Sequence, residues 1–491
     1  MTLTEFSLLV TLAAFLAASA LVLFIPFGRG TWAAATGAGV IALGASALLS
    51  VDVSRNGPLF AFKNWVYVDA LGVIVVDLVA VVGLLAIVNS LPYVEHELAH
   101  GELDEVRARR YYALVLAFLA TMFAVPLLNN LGGMWIAIEA TTVVSALLVS
   151  IHGDKAGLEA AWKYLIIGSV GIALALFGTM MTYYAAAPIL GESGNALNWT
   201  TLRGVASQLD PAVMRIAFVF ILVGYGTKAG LAPMHTWLPD AHSQAPSPVS
   251  GLLSGVLLKC ALVALFRIGV LTDLSVGGSF RDNAFIAFGI LSVGVALPFI
   301  VVQGDLKRML AYHSVEHMGV IVLAAGIGGT LGSYAAILHL IAHSLTKSSL
   351  FFSGGAIVQA HGTRRLHRLQ GLIRTTPAAT TVLLIGVFGL AGFPPFAMFV
   401  SEFGLISASL DQGRAAIGIA GSVLIALAAA ALLYHAVDTI FGGRQNAKIR
   451  RVSRVATATA LLPLLLATWI ALAPPAPVRH LLRDAAAVMQ T

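Results

Sequence analysis

The stretch Phe218-Val-Phe-Ile-Leu-Val-Gly-Tyr-Gly-Thr-Lys228-Ala-Gly-Leu-Ala-Pro-Met-His-Thr-Trp-Leu-Pro-Asp240 decides the fold. It places a lysine inside an apolar run and then breaks at Gly230-Leu-Ala-Pro233. An ammonium group at the centre of a bilayer costs at least about 2.5–3.5 kcal/mol, so such a residue usually marks an ion or proton pathway. The stretch therefore predicts a broken transmembrane helix that carries a functional charge.

The rest of the chain repeats the apolar pattern. Of its 491 residues, 58% are hydrophobic and 11% are charged, a composition that excludes a soluble globular protein of this size. Runs of about 20 apolar residues, the length that crosses a bilayer, recur throughout. We therefore expect an all-α polytopic membrane protein with about fourteen transmembrane helices, near residues 4–24, 31–50, 69–93, 112–128, 131–151, 161–185, 212–237, 246–271, 283–303, 306–328, 331–359, 377–409, 413–441 and 455–474.

Lysine and arginine are concentrated in alternate loops, which orients the chain. The basic loops, which we expect on the cytoplasmic side, include Arg107–Arg110, Arg364–Arg374 and the Arg444–Arg454 cluster. An even number of helices then puts both termini on the external side of the inner (plasma) membrane. The net charge of +6 reflects this topology and anionic lipid, so nucleic acid is a poor partner. Cys260 is the only cysteine, which excludes an internal disulfide.

The polar residues suggest an internal repeat. We divide the chain into residues 1–111 with three helices and a cytoplasmic loop, two five-helix units at 112–271 and 283–441, and residues 442–491 with a basic loop and the last helix. Each unit contains one broken span, at Gly230-Leu-Ala-Pro233 and at Gly392-Phe-Pro-Pro395. Five helices per unit make consecutive units inverted. Broken spans in the two halves of an inverted repeat indicate a transport site at the membrane midplane.

Four ionisable residues within the spans are predicted to transfer protons. Glu139 has no basic residue within two helical turns, so its partner must come from another helix, and we expect Lys228. Lys259 lies deep within the next span, and Glu402 follows the second break, where it is suited to be the exit carboxylate. A lysine beside the proline break can exchange a proton because the break leaves a backbone carbonyl free.

Histidines cluster in the second unit and predict a relay between the lysines and Glu402. Pairs at i, i+4 share one helical face, and imidazoles both accept and donate protons near neutral pH. The alternative, a bis-histidine haem or metal site, stays open, although we expect no cofactor and no metal. The relay candidates are Lys163, His235, His313, Glu316, His317, His339, His343 and Lys347.

Four motifs resemble the antiporter-like subunits of the complex I membrane arm, a family shared with Mrp antiporters and group 4 hydrogenases. They are Trp135-Ile-Ala-Ile-Glu139, the run from Lys228 to Pro246, Lys259 with Arg267, and Ala311-Tyr-His-Ser-Val-Glu-His-Met-Gly319. The glutamate of the last motif, with Ala160-Ala-Trp-Lys-Tyr164 and His343-Ser-Leu-Thr-Lys-Ser348, looks most like hydrogenase-4 component F. The resemblance implies a fourteen-helix fold, a glutamate–lysine pair at 139 and 228, a bridging Lys259 and a terminal Glu402, where several relatives have lysine.

The resemblance predicts a subunit that moves protons or sodium ions for a redox-driven complex of the group 4 hydrogenase or formate hydrogenlyase type. It would hold no redox centre of its own and would act with other membrane subunits. The expected route runs from Lys228 through Lys259 and His339 or His343 to Glu402. Three alternatives stay open: an Mrp-type cation/proton antiporter subunit, a non-conducting membrane scaffold, and a subunit for inorganic-carbon uptake.

Overall fold

The structure is a computed structural model that describes residues 3–191, 193–443 and 449–490. Arg444, the first residue of the predicted basic cluster, lies outside the described residues. The described part consists of α-helices joined by short connections, with one antiparallel β-hairpin of β1 Leu59–Ala61 and β2 Val66–Val68. The helical content and the apolar length of the helices confirm the predicted all-α membrane class.

The helices follow one another in the order expected from the apolar runs. Their bounds are α1 Leu3–Phe24, α2 Arg29–Asn56, α3 Ala70–Ala99, α4 Glu105–Ala124, α5 Leu131–Val149, α6 Lys155–Leu190, α7 Trp199–Val205, α8 Pro211–Ala229, α9 Trp237–Gln244, α10 Ser247–Leu252, α11 Leu258–Val276, α12 Phe280–Val301, α13 Leu306–Ile327, α14 Gly329–His361, α15 Leu372–Thr375, α16 Pro377–Leu390, α17 Ala397–Asp411, α18 Ala415–Phe441, α19 Arg454–Leu472 and α20 Ala476–Val488. Short 3₁₀ turns occupy Val125–Leu127, Ala206–Gln208 and Leu366–Arg368, and a π-helical turn, Leu253–Leu257, joins α10 to α11.

Several helices begin where a short polar side chain caps the backbone. The side chain at the N-cap accepts a backbone N–H from the first turn, which typically stabilises a helix by about 1 kcal/mol. The capping residues are Asp69, Asp104, Asn130, Asp154, Asp210 and Asp305. Because Asp154 caps α6, that helix begins at Lys155, earlier than the span predicted from residue 161.

Both predicted breaks are present. Within the described residues, 13 helices are long and apolar enough to cross a membrane. The broken pair α16–α17 supplies the remaining predicted span, which confirms the expectation of about fourteen. The first break follows Ala229, where Gly230 caps α8 with φ of +79°, and the second follows Leu390, where Gly392 has φ of +70°. Glycine adopts this left-handed conformation without the Cβ clash of other residues.

The two predicted five-helix units contain their spans in the same order. Residues 112–271 contain α4, α5, α6, the broken α8–α9 and α10–α11, and residues 283–441 contain α12, α13, α14, the broken α16–α17 and α18. The fourth span is the interrupted one in both units. The unit limits stay predictions, and because α4 begins at Glu105, the limit at residue 112 lies inside a helix.

The centre of the bundle is formed by the helices that carry the polar residues. The apolar windows of the α10–α11 span, α13 and α14 are fully buried, whereas those of α1, α12 and α19 are only 33% buried. A polar residue on a central helix therefore faces other helices, where hydrogen-bond partners are available and lipid is not.

Candidate functional site

Lys228 occupies the last turn of α8, directly before the first break, and is fully buried. Its amine donates to the Thr142 hydroxyl of α5 at 2.8 Å and to the Tyr164 hydroxyl of α6 at 2.6 Å. The amine also lies 4.8 Å from the centre of the Tyr164 ring, a cation–π distance. Two hydroxyls and an aromatic face therefore stabilise this ammonium group inside the bundle.

Among the described residues, Glu139 and its expected partner Lys228 form no direct ion pair. Glu139 accepts a hydrogen bond from Ser169 at 2.9 Å through Oε1, and its buried Oε2 has no partner. Lys228 reaches Thr142 instead, three residues further along α5 and therefore on the same helical face as Glu139. The Lys228 amine therefore contacts α5 about one helical turn from Glu139, without a contact to the Glu139 carboxylate.

Lys259 begins the second stage, immediately after the π-helical turn. Its buried amine donates to the Ser254 carbonyl at 2.6 Å and contacts His343 Nδ1 of α14 at 2.6 Å. A charged lysine has donors only, so His343 Nδ1 accepts and the proton of the neutral ring sits on Nε2. π-helical turns are frequent at functional sites, and this one brings the amine to the histidines.

The histidines of α13 and α14 form a connected row. The rings of His343 and His317 lie 5.4 Å apart, and His317 Nδ1 lies 3.0 Å from His339 Nε2. His339 Nδ1 lies 2.9 Å from Ser401 Oγ, whose own proton goes to the Met398 carbonyl. Ser401 must therefore accept from His339 Nδ1–H, which leaves His339 Nε2 to accept from His317. Lys259 thus donates to His343, and His317 donates to His339, which donates to Ser401. Among the described residues no hydrogen bond joins His343 to His317, whose Nε2 atoms are both without a partner.

Glu402 ends the row on α17. Its carboxylate and one nitrogen each of His317 and His339 all lie within 4.8 Å of one another, and its buried Oε1 has no partner. The second break makes room for this side chain, since a Cβ on Gly392 would overlap Glu402 Oε2. The break therefore positions the predicted exit residue.

A branch of the row lies on α13. His313 Nδ1 contacts Glu316 Oε2 at 2.6 Å, and both residues lie near His317 in a second group with ligand atoms within 4.8 Å. Both side chains are buried. Of the relay candidates, His313, Glu316, His317, His339 and His343 are therefore brought together.

Three other candidates form no hydrogen bond to the row among the described residues. Lys163, predicted as a relay residue, is not buried in the apolar layer, because its side chain is 48% exposed and pairs with Glu159 and Asp240. Lys347 is buried and donates to the Leu310 carbonyl, with its amine 5.4 Å from the Phe351 ring. His235 lies in the first break, where its ring packs against Phe299 and Tyr312.

Lys163 faces an open polar cavity of about 1260 Å³ at the basic end of the bundle. Glu97, Glu102 and His152 line one part of it, and Glu97 contacts His152 Nε2 at 3.0 Å. In the loop that follows α3, partial burial and the neighbouring Glu97 raise the pKa of Glu102 above its usual value. The cavity offers water and exchangeable protons next to α9.

Helix α9 separates this cavity from Lys228. Asp240 on its outer face pairs with Lys163 and, at 2.8 Å, with Arg308 of α13. Lys307 and Arg364 donate to carbonyls at its C-terminal end, where cations stabilise a helix. The position of α9, and hence of the first break, is therefore held by charged groups from three other elements.

His242 is a candidate that the sequence analysis did not select. It is fully buried on the inner face of α9, neither ring nitrogen has a partner, and the ring stacks on Phe351 at 5.3 Å. On the same face, Trp237 stacks on Tyr164 at 4.4 Å. The sequence could have identified His242, since it lies in the run from Lys228 to Pro246 that carries the family resemblance.

Comparisons with known proteins show the family of the chain. The family model described as NADH:quinone oxidoreductase/Mrp antiporter, TM matches residues 129–428. The chain is 40% identical over 376 residues to the Hydrogenase-4 component F homolog of Methylacidiphilum infernorum (isolate V4), which covers 76% of this chain and 79% of the relative. It is 29% identical over 429 residues to the NADH-quinone oxidoreductase subunit N of Desulforudis audaxviator (strain MP104C), covering 85% and 82%.

Among solved structures, a chain of the Mrp complex from Dietzia sp. DQ12-45-1b has the same fold. The TM-score is 0.87 at 22% sequence identity, and the match covers 100% of this chain and 98% of that chain. The fold expected from the resemblance is therefore confirmed, as is the resemblance to hydrogenase-4 component F.

Proposed function

Since the chain belongs to the NADH:quinone oxidoreductase/Mrp antiporter family of membrane subunits, we propose that it translocates protons for a redox-driven complex of the group 4 hydrogenase or formate hydrogenlyase type. The observation that carries the proposal is the row of ionisable side chains from Lys228 on α8 to Glu402 on α17, which are buried up to the partly exposed Glu402. The relatives are subunits of multi-subunit membrane complexes, so other membrane subunits are its partners.

Protons enter from the polar cavity, which we place on the cytoplasmic side because Arg364, Arg365 and Arg450 line it. Both termini then face the external side. The proton passes α9 to Lys228, crosses to Lys259 on the packed helix α11, and reaches the histidine row through His343. Transfer between the two lysines uses a bridging water, since no direct hydrogen bond joins them among the described residues.

The second half of the route is the histidine row. The proton moves from His343 to His317 and His339, and leaves through Glu402 towards the external side. His339 accepts from His317 on Nε2 and donates from Nδ1 to Ser401, the residue that precedes Glu402 on α17, and an imidazole can take up a proton on one nitrogen and release it from the other. Both His343 and His339 take part, whereas the sequence offered them as alternatives.

We place the coupling between redox energy and proton transfer at Glu139 of α5 and Lys228 of α8. Lys228 contacts α5 at Thr142, on the same helical face as Glu139, so an ionised Glu139 attracts the Lys228 ammonium group. Movement of either helix changes this attraction and hence the readiness of Lys228 to release its proton. In this proposal, redox chemistry in partner subunits supplies the movement.

The transported ion is the proton. The middle of the row consists of lysine and histidine nitrogens, which exchange protons readily, whereas hard cations prefer oxygen ligands. Glu316 and Glu402 are the carboxylates of the row. A sodium route would need oxygen ligands beside Lys259, and the contacts found there are one carbonyl and one imidazole.

Replacement of Lys228 by alanine in the intact complex tests the proposal. In proteoliposomes we expect proton translocation through this subunit to be lost while electron transfer by the partner subunits continues. Lys155→Ala is the matched control, because Lys155 is the exposed first residue of the neighbouring helix α6, and it should retain translocation. Unchanged translocation in Lys228→Ala would support the non-conducting scaffold instead.

Purification of the complex separates the remaining alternatives. A hydrogenase or quinone oxidoreductase module should co-purify with the chain, and electron donors should then drive proton uptake. If the chain comes only with other antiporter subunits and responds only to ion gradients, the Mrp-type alternative replaces the proposal.

A further inference from the structure

We propose that His317, His339 and Glu402 form a binding site for a divalent transition-metal ion of the zinc class, and that an ion bound there blocks the proton row. Binding follows from the geometry of the three side chains. The blocking effect rests on the proposed function, because it requires that protons pass this point.

The three side chains come from three different helices and converge. Their ligand atoms all lie within 4.8 Å of one another, and the two nearest imidazole nitrogens are 3.0 Å apart. In a tetrahedral zinc site with bonds of about 2.0–2.1 Å, neighbouring ligand atoms are roughly 3.3 Å apart. Side-chain shifts of about 1–2 Å would therefore be sufficient to close the ligands around an ion, with no change of helix packing.

The donor set is one that zinc accepts. Two imidazoles and one carboxylate, with a fourth position left for water, occur in catalytic zinc sites. Glu402 Oε1 and His317 Nε2 are buried and have no hydrogen-bond partner, so ligation through these two atoms breaks no bond, whereas His339 Nε2 would exchange the hydrogen bond from His317 Nδ1–H for the ion. Unpartnered buried acceptors are costly, and a cation would satisfy them.

Ser401 orients one of the ligands. It accepts from His339 Nδ1–H at 2.9 Å, which leaves the lone pair of His339 Nε2 on the side of His317. A second hydrogen bond of this kind fixes the tautomer of metal-binding histidines and is worth roughly 10–100-fold in affinity.

The same atoms would carry the proton, which explains the block. His317 donates to the lone pair of His339 Nε2, and a metal bound to that lone pair removes the acceptor. The proton row would then be interrupted one step before Glu402.

The neighbouring group of His313, Glu316 and His317 is a weaker competitor for the ion. His313 and Glu316 already satisfy each other at 2.6 Å within one helix. Glu402 is partly exposed, whereas His313 and Glu316 are both fully buried. The ion therefore reaches the Glu402 group first.

The test is a titration of the purified complex with Zn²⁺ by calorimetry, and with Co²⁺ by the visible absorbance of the bound ion. We expect one site whose affinity falls at least about 100-fold in Glu402→Gln and in His339→Gln, and about 10–100-fold in Ser401→Ala. Glu402→Asp keeps the carboxylate and should retain binding, which guards against loss of folding. His361→Gln, which alters a histidine of the same helix as His339 but outside both groups, should bind as the unaltered complex does.

The site would be overturned if Glu402→Gln bound Zn²⁺ as tightly as the unaltered complex, or if the unaltered complex bound no Zn²⁺. Zn²⁺ should also stop proton translocation in proteoliposomes, and a chelator should restore it. If Zn²⁺ binds as expected but translocation continues, the site stands and the block is refuted. If translocation also survives Lys228→Ala, the proposed function itself fails.

Discussion

The replacement of Gly392 by alanine tests whether the second break exists to position Glu402. A Cβ at this position would overlap Glu402 Oε2 and lie 3.1 Å from its Cδ, so the carboxylate must move. A displacement on the order of 1 Å, enough to relieve such an overlap, can lower a rate about 100-fold. The φ of +70° adds a conformational cost of about 1–2 kcal/mol for any residue with a Cβ.

Gly413→Ala is the matched control for this variant. Gly413 has φ of +66°, so it carries the same conformational cost, but a Cβ there would meet no atom within 4 Å. The assay is proton translocation in proteoliposomes, with the thermal unfolding temperature of the complex measured in parallel. Both variants should lose a similar amount of stability, and only Gly392→Ala should lose most of its translocation. Equal translocation in the two variants would refute the positioning role of the break.

Two further predictions concern the first half of the route. Tyr164→Phe keeps the ring that stacks on Trp237 but removes one of the two hydroxyls that accept from the Lys228 amine. We therefore expect a loss of stability of about 1–3 kcal/mol and slower translocation. An unchanged unfolding temperature would contradict this expectation. The pKa of Glu102 is raised first by its burial and second by the neighbouring Glu97. Glu97→Gln removes the second cause, so the pKa of Glu102 should fall towards its usual value. Infrared titration of the carboxyl band, assigned by its loss in Glu102→Gln, measures this shift, and an unmoved titration would refute the interaction.

Local sequence patterns were sufficient for the membrane spans and the breaks. The apolar runs alone locate the helices, and Gly230 and Gly392 mark the helix ends because glycine takes left-handed conformations readily. The residues of the row were also found, since Lys259 and His339 stand out in otherwise apolar segments where polar groups are rarely without function.

The contacts between helices could not be predicted in the same way. Lys228 binds Thr142 and Tyr164 instead of Glu139 because the packing of three helices, and not spacing within one, decides which groups an amine reaches. The apolar residues around Lys163 predict a membrane span that begins near residue 161, whereas the Asp154 cap places the start of α6 at Lys155. Lys163 therefore lies close to the N-terminal end of the helix, where its side chain reaches water.

The most direct test of the central claim is the number of protons translocated per electron by a complex with His343→Gln. His343 joins Lys259 to the histidine row, so its loss should remove the contribution of this subunit while electron transfer continues. His361→Gln, on the same helix but outside the row, should keep the full ratio. A ratio in His343→Gln equal to that of the unaltered complex would contradict proton conduction through these side chains.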